Sequence, residues 1–217
     1  MAVDVFTRRL NDVVKLGQEL GARLTGTAVY DREDGKHFAM ARLLSSDEIP
    51  LVVIEPSVPR PSVLDAFPEL LVSEVTATMS IVADVDAVVR TWTSDTGLEV
   101  VLEYTRSEAQ VGEMLGLPRT ATPHHIALLA PRDELMFRFE LVGLPEETVE
   151  SAWSVARPLS QGALITGFAT PNIINALEQL GSVSAPVATP LGTLATGIAK
   201  DGTPFFLHQA EDGGAGV

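Results

Sequence analysis

Three stretches of this chain place an amphipathic helix before a glycine and then three short strands, and that repetition limits the fold more than any single motif. The first helix carries Leu10, Val13, Val14 and Leu20 and stops at Gly21. The second carries Val85, Val88, Val89 and Trp92 before Gly97, and the third Ile173, Ile174, Leu177 and Leu180 before Gly181. Apolar residues at i, i+3 and i+4 give a helix one buried face, and a terminal glycine suits the left-handed residue that closes it. A strand precedes each helix, so each unit reads β-α-β-β-β. The fold class expected is α+β, built from repeated βαβββ units. The stretch from Val75 to Gly143 is the fullest copy.

The units divide the chain. Residues 1–56 form the first, with strands over ARLTGTAVY, HFAMARLL and PLVVIEP. Residues 57–71 are a connection punctuated by Pro59, Pro61 and Pro68, with room for a short helix after Ser62. Residues 72–145 form the second unit and contain an insert from Ser107, where Ser107 and Gln110 have capping-box spacing and Pro118 closes the helix. A helical connection over 146–160 leads to the third unit, 161–210, and a tail over 211–217.

Composition narrows the function. With 15 basic and 29 acidic residues the net charge is −14, a balance that repels phosphate backbones and anionic membranes, so neither nucleic acid nor membrane is an expected partner. There is no cysteine, which excludes disulfides, thiolate metal sites and a cysteine nucleophile. No apolar run reaches the roughly 18 residues that span a bilayer, and the N-terminal residues have no signal-like apolar core. A soluble cytoplasmic protein is expected.

The segments IVADVDAVVRTW…TGLEVV, MLGLP…ALLAPRDELMFRFELVG and LEQLG…GIAKDGTPFFLHQ resemble the vicinal oxygen chelate superfamily of glyoxalases, bleomycin-resistance proteins and extradiol dioxygenases. FTRRLNDVVKLGQELGARL is a looser match. The resemblance implies that two units pack edge to edge, their curled mixed sheets enclosing a cavity. It also implies that metal ligands, when present, come from the first and last strands of the paired units. The last-strand carboxylates would be Glu55 and Glu140, with His208 at the corresponding place in the third unit; these three are the metal candidates. The first strands offer Thr76, Ala77 and Thr78, or Ile165, Thr166 and Gly167, and the first unit starts too abruptly to supply a ligand. The cofactor is therefore left unassigned, a divalent metal being possible without its usual first-strand ligands.

Strand alternation places Met136, Arg138 and Glu140 on one face and Phe206 with His208 on another. With the second unit paired to the third, Glu140 would be a catalytic base, His208 its acid partner and Arg138 the group that stabilises negative charge. Thr76, Thr78, Met136, Phe206 and one of the adjacent His124 and His125 would contact substrate. The expected ligand is a small hydrophobic organic molecule, and the expected chemistry is isomerase or lyase action by proton transfer next to a carbonyl. Two alternatives stand beside it: sequestration without chemistry, as in bleomycin-resistance proteins, and a metal-dependent dioxygenase or glyoxalase-like enzyme. Three units leave one sheet edge unpaired, so a homodimer is expected.

Overall fold

A computed structural model describes residues 2–31, 35–82, 84–94, 98–106, 114, 124–131, 138–143, 166–170, 172–174, 178, 181–190, 192–199 and 204–209. The chain divides into two compact units, one formed by Met1–Val85 with Val100–Val149 and the other by Asp86–Glu99 with Glu150–Val217. Expectations for Gly97, Met136, the 146–160 connection and the 211–217 tail fall outside the described residues, as does the Ser107–Pro118 insert apart from Met114.

In the first unit the elements run β1 (Ala2–Phe6), α1 (Leu10–Glu19), β2 (Arg23–Asp31), β3 (His37–Leu44), β4 (Pro50–Pro56), α2 (Val63–Ala66) and β5 (Val75–Val82). Helix α3 (Val85–Thr93) leaves this unit almost at once, and β6 (Leu98–Arg106), β7 (His124–Pro131) and β8 (Arg138–Gly143) complete it. These strands form one eight-stranded sheet in the order β2-β3-β4-β1-β5-β8-β7-β6. The two halves mirror each other: β1 lies parallel to β4, β5 lies parallel to β8, and β1 meets β5 antiparallel at the centre. The edge-to-edge partners are thus the first and second repeats, which corrects the expected pairing of the second with the third.

Sequence pattern decides what each face of this sheet carries. On the outer face Val5, Leu43 and Val53 bury Val13 of α1, with Leu10 packed beside them. The helix approaches closely because Gly17 faces Leu43; a Cβ there would lie 2.9 Å from Leu43 Cδ1. Leu20, expected on the buried stripe, is 77% exposed because α1 ends at Glu19 and the chain turns out through Gly21 at φ +91°. On the inner face Ala2, Met40, Val52, Met79, Ile126 and Val142 form an apolar cluster with Met114.

The proline-punctuated connection is strapped to the end of β1. Ser73 Oγ accepts the Phe6 amide at 2.9 Å, and Thr7 Oγ1 donates to Leu71 O at 2.7 Å. Arg8 pairs with Asp65, and Ser62 and Asp65 cap the short helix reciprocally.

The second unit holds β9 (Thr166–Ala169), β10 (Gly181–Val183), β11 (Val187–Thr189), β12 (Gly192–Ala199) and β13 (Pro204–Gln209). Strand β13 lies between β9, to which it is parallel, and β12, to which it is antiparallel; β10 and β11 both pair with β12. This is the same first-strand-to-last-strand pairing seen twice in the larger sheet. Trp92 of α3, fully buried, meets Phe205 edge-on at 5.6 Å between ring centroids, the core role expected for that residue.

Candidate active site

Along β1 the alternation AVDVF sends Val5 outward to α1 and Asp4 inward, so a carboxyl group lies on a face otherwise lined by apolar side chains. Asp4 is 1% exposed, and its Oδ1 has no hydrogen-bond partner among the described residues. The register between β1 and β5 slips at this point: Asp4 pairs with Ala77 and Val5 with Val75, leaving Thr76 as the extra residue of a bulge. Thr76 Oγ1 donates to the Asp4 carbonyl at 3.1 Å, and the bulge lets Thr76 and Ala77 both face inward.

Glu140 approaches from the next strand but one. Strand β8 is parallel to β5, with Ala77 opposite Arg138 and Met79 opposite Glu140. Strands β1 and β8 are therefore separated by one strand, about 10 Å at the usual spacing. The Ala77 methyl leaves room above β5, and there the Asp4 and Glu140 carboxyl groups hydrogen-bond. Burial, and then the neighbouring Glu140, push Asp4 well above the usual carboxylate range. Burial pushes Glu140 up to about 7, against the opposing pull of its hydrogen bond from Asp4 and the Arg138 charge. Two carboxyl groups in one dry pocket cannot both ionise cheaply. Burial and the neighbouring carboxyl group favour the proton on Asp4, which donates it towards Glu140.

The cavity above the pair encloses about 60 Å³. Phe6, Phe38, Ile54, Leu102, Tyr104 and Leu128 supply its apolar walls, and Arg60 and Arg138 the cations. Arg60, on the connection, lies 5.5 Å over the Phe6 ring and 5.7 Å over the Phe38 ring. A larger recess of about 250 Å³ shares Phe38, Arg60 and Arg138 with this cavity and adds Lys36, Val58, Pro59 and Pro61.

Of the residues singled out from sequence, Glu140, Arg138 and Thr76 line the cavity together. Thr78 lies on β5, opposite Val3 and Phe139, and is not among the lining residues. Glu55 faces the other way: its Oε2 accepts the Leu10 amide at 3.2 Å at the start of α1, and its neighbour Ile54 takes the inward position. His208 and Phe206 belong to β13 in the other compact unit, and every described residue lining the cavity comes from the first; the partner of Glu140 is Asp4. Phe206 is 38% exposed, its ring against Gly167. His125 points to the partly exposed Glu103, Nε2 to Oε1 at 2.6 Å, and is not a lining residue either. His124 lies on β7; its side chain is outside the described set.

The residues missed from sequence are Asp4, Arg60 and Tyr104. Asp4 is the first-strand carboxylate that the first repeat had been read as too short to offer. An aspartate at an inward position between Ala2 and Phe6 of a strand was the available signal. Arg60 had none, since only the tertiary strapping of the connection brings it over the pocket.

No protein-family model matches the sequence, and comparison with curated proteins found no relative. Solved structures do match in fold. Glyoxalase I from Zea mays, in a mutant form, superposes with a TM-score of 0.63 at 14% identity, covering 96% of this chain and 66% of that one. A second mutant of the same enzyme gives 0.59 at 13% identity, covering 96% and 68%. A protein from Bacillus subtilis described as a dioxygenase gives 0.58 at 9% identity, covering 98% and 62%. The chain spans less than two thirds of the length of the first and last of these. Its architecture is that of the vicinal oxygen chelate fold.

The metal centre that this fold suggests does not suit these residues. Among the described residues the cavity offers two carboxyl groups and no imidazole, while Arg60 and Arg138 bring positive charge to the same space. From β4 and β5 the cavity is lined by Ile54, Thr76 and Ala77, none of them a usual metal ligand. Zinc and iron sites require deprotonated carboxylates and usually imidazole.

Proposed function

We propose that the cavity catalyses proton transfer at a carbon next to a carbonyl group of a small organic molecule, an isomerase or lyase type of reaction. Glu140 is the base. Its carboxylate takes the proton from carbon, and the electron pair moves onto the carbonyl oxygen. Arg138, on the same strand and face, stabilises the resulting enolate charge. Asp4, kept protonated, holds Glu140 by a hydrogen bond and sets its affinity for a proton. Return of the proton from Glu140 to the same face of that carbon restores the substrate with a solvent hydrogen exchanged in; return to another carbon completes an isomerisation.

The observation that carries this reading is the burial of the Asp4 and Glu140 carboxyl groups in one pocket beside Arg138, with burial pushing Glu140 up to about 7. The test is deuterium incorporation from D₂O into a panel of 2-substituted carbonyl acids and thioesters, followed by NMR. Exchange is expected to rise with pH through about 7 and to be lost in Glu140→Gln. Full exchange in that variant would end the assignment.

A homodimer is part of the same reading. Among the described residues β9 pairs with β13 alone, although it corresponds to β1 and β5, which pair with each other. A second copy's β9 added antiparallel would repeat that arrangement. Light scattering at micromolar concentration should give twice the chain mass of 23.1 kDa; a single-chain mass would oppose it.

A further inference from the structure

We infer that Arg60 is the gate of this cavity, and that the ligand opening it carries a flat aromatic or conjugated ring that takes the guanidinium's place against Phe6 and Phe38. The inference rests on the proton-transfer reading for the identity of the site. It adds the class of molecule that enters and the movement that admits it.

Size is the first observation. The inner cavity of about 60 Å³ has room for a few water molecules, each of which takes about 30 Å³ of the liquid. Sites for small organic molecules enclose about 300–1,000 Å³. The recess of about 250 Å³ shares Phe38, Arg60 and Arg138 with the cavity, so Arg60 stands where the two spaces adjoin. With its side chain turned away, the two join and reach the lower end of the range for ligand sites.

The span that carries Arg60 is anchored at both ends. The Ser57 amide donates to His37 O at 2.9 Å, and Ser57 Oγ accepts the His37 amide at 2.8 Å. At the far end Ser62 and Asp65 cap α2, and Arg8 pairs with Asp65. Between these anchors Val58, Pro59 and Pro61 are exposed, and the two prolines have no amide hydrogen to donate. Residues 57–61 lie outside β4 and α2, so a side chain there turns without breaking a strand pairing.

The third observation is what Arg60 covers. Phe6 and Phe38 are both buried, and the half-buried Arg60 lies over the two rings at 5.5 and 5.7 Å from their centroids. A guanidinium is itself flat and delocalised. Once it leaves, a ring of matching flatness restores the contact with both faces, whereas a puckered aliphatic group of equal size does not. Both rings also line the space that holds Glu140, so a carbonyl group attached to the incoming ring reaches the carboxyl pair.

Two neutral ketones of nearly equal size test this: acetophenone, which is flat, and cyclohexyl methyl ketone, which is puckered, titrated by ligand-observed NMR against the full chain. Acetophenone should bind roughly 2- to 10-fold more tightly, the factor that ring–ring contact supplies. Arg60→Ala removes the group that the ligand displaces, so acetophenone should bind that variant roughly 2- to 30-fold more tightly than the parent. Phe38→Leu, with its fold checked by circular dichroism, should bring the two ketones to equal affinity, and Phe6→Leu repeats the test should Phe38→Leu fail to fold. Weaker acetophenone binding in Arg60→Ala, equal binding of the two ketones to the parent, an aromatic preference kept in the folded leucine variant, or no binding of either ketone would overturn the inference. The titration does not depend on Glu140. Acetophenone preference retained in Glu140→Gln alongside undiminished deuterium exchange would remove the proton-transfer reading and leave this one standing.

Discussion

The eight-stranded sheet and the five-stranded sheet are made from the same repeat, yet only the first has its initial strands joined. In the larger sheet β1 and β5 lie antiparallel, and the bulge at Thr76 with the small Ala77 lets carboxyl groups from β1 and β8 meet across the middle strand. In the smaller sheet β9 has the corresponding place, pairs with β13 among the described residues, and carries Gly167 against Phe206. The repeat by itself therefore builds a half-shell. A site arises where two first strands meet and where the sequence places polar groups on the inward parity.

That contrast can be broken at its strongest point with Glu140→Gln. Deuterium exchange should fall by about 10²–10⁴-fold, the usual contribution of a general base, while circular dichroism stays unchanged. In the smaller sheet the largest effect should come from packing: Trp92→Ala should cost about 3–5 kcal/mol in chemical unfolding of the second unit and leave the titration of the carboxyl pair where it was. A shift of that titration would argue that the site is not self-contained.

The pH dependence of stability separates the two regions further. Glu140 has its folded pKa raised from 4.5 to about 7, so the native state binds more protons than the unfolded chain in that window. Stability therefore falls as pH rises through it. At pH 8 Glu140→Gln should be more stable than the parent by roughly 3 kcal/mol, following about 1.4 kcal/mol per unit, with the difference vanishing at pH 4.5. Equal stability at both pH values would mean that the pair is solvated. The gain in stability with loss of exchange in one variant is the trade expected of a strained functional group.

Smaller effects probe the glycines. A Cβ on Gly26 would lie 2.8 Å from the Met114 Cα, a backbone atom, so Gly26→Ala should cost about 1–3 kcal/mol as an overpacked site does. The three atoms nearest a Cβ on Gly167 would all belong to the Phe206 ring, the far end of a side chain that is 38% exposed. Gly167→Ala should therefore cost under about 1 kcal/mol. The reverse order in thermal melts would place the rigid contact in the wrong sheet.

Much of the fold could be read from residue patterns. HFAMARLL and PLVVIEP coincide with β3 and β4, and Ser62 caps the short helix anticipated among the prolines. Local periodicity decides such elements. Which repeats join could not be read, because edge pairing depends on register between strands some 70 residues apart. The same gap explains the site. The inward facing of Glu140 and Arg138 was legible from their place on the last strand, but Glu55 was one residue out of phase, since strand parity turns Ile54 inward and leaves Glu55 to the Leu10 amide. Asp4 was passed over because nothing local marks its carboxyl group as meeting Glu140 across β5.

The central claim is that Asp4 and Glu140 share one proton near neutrality, and ¹³C NMR of their side-chain carboxyl carbons between pH 3 and 9 tests it most directly. The account predicts one resonance pair moving near pH 7, assigned to Glu140 by its loss in Glu140→Gln, with Asp4 still protonated where ordinary carboxylates have ionised. Two carboxyl groups that both titrate below pH 5 would contradict it.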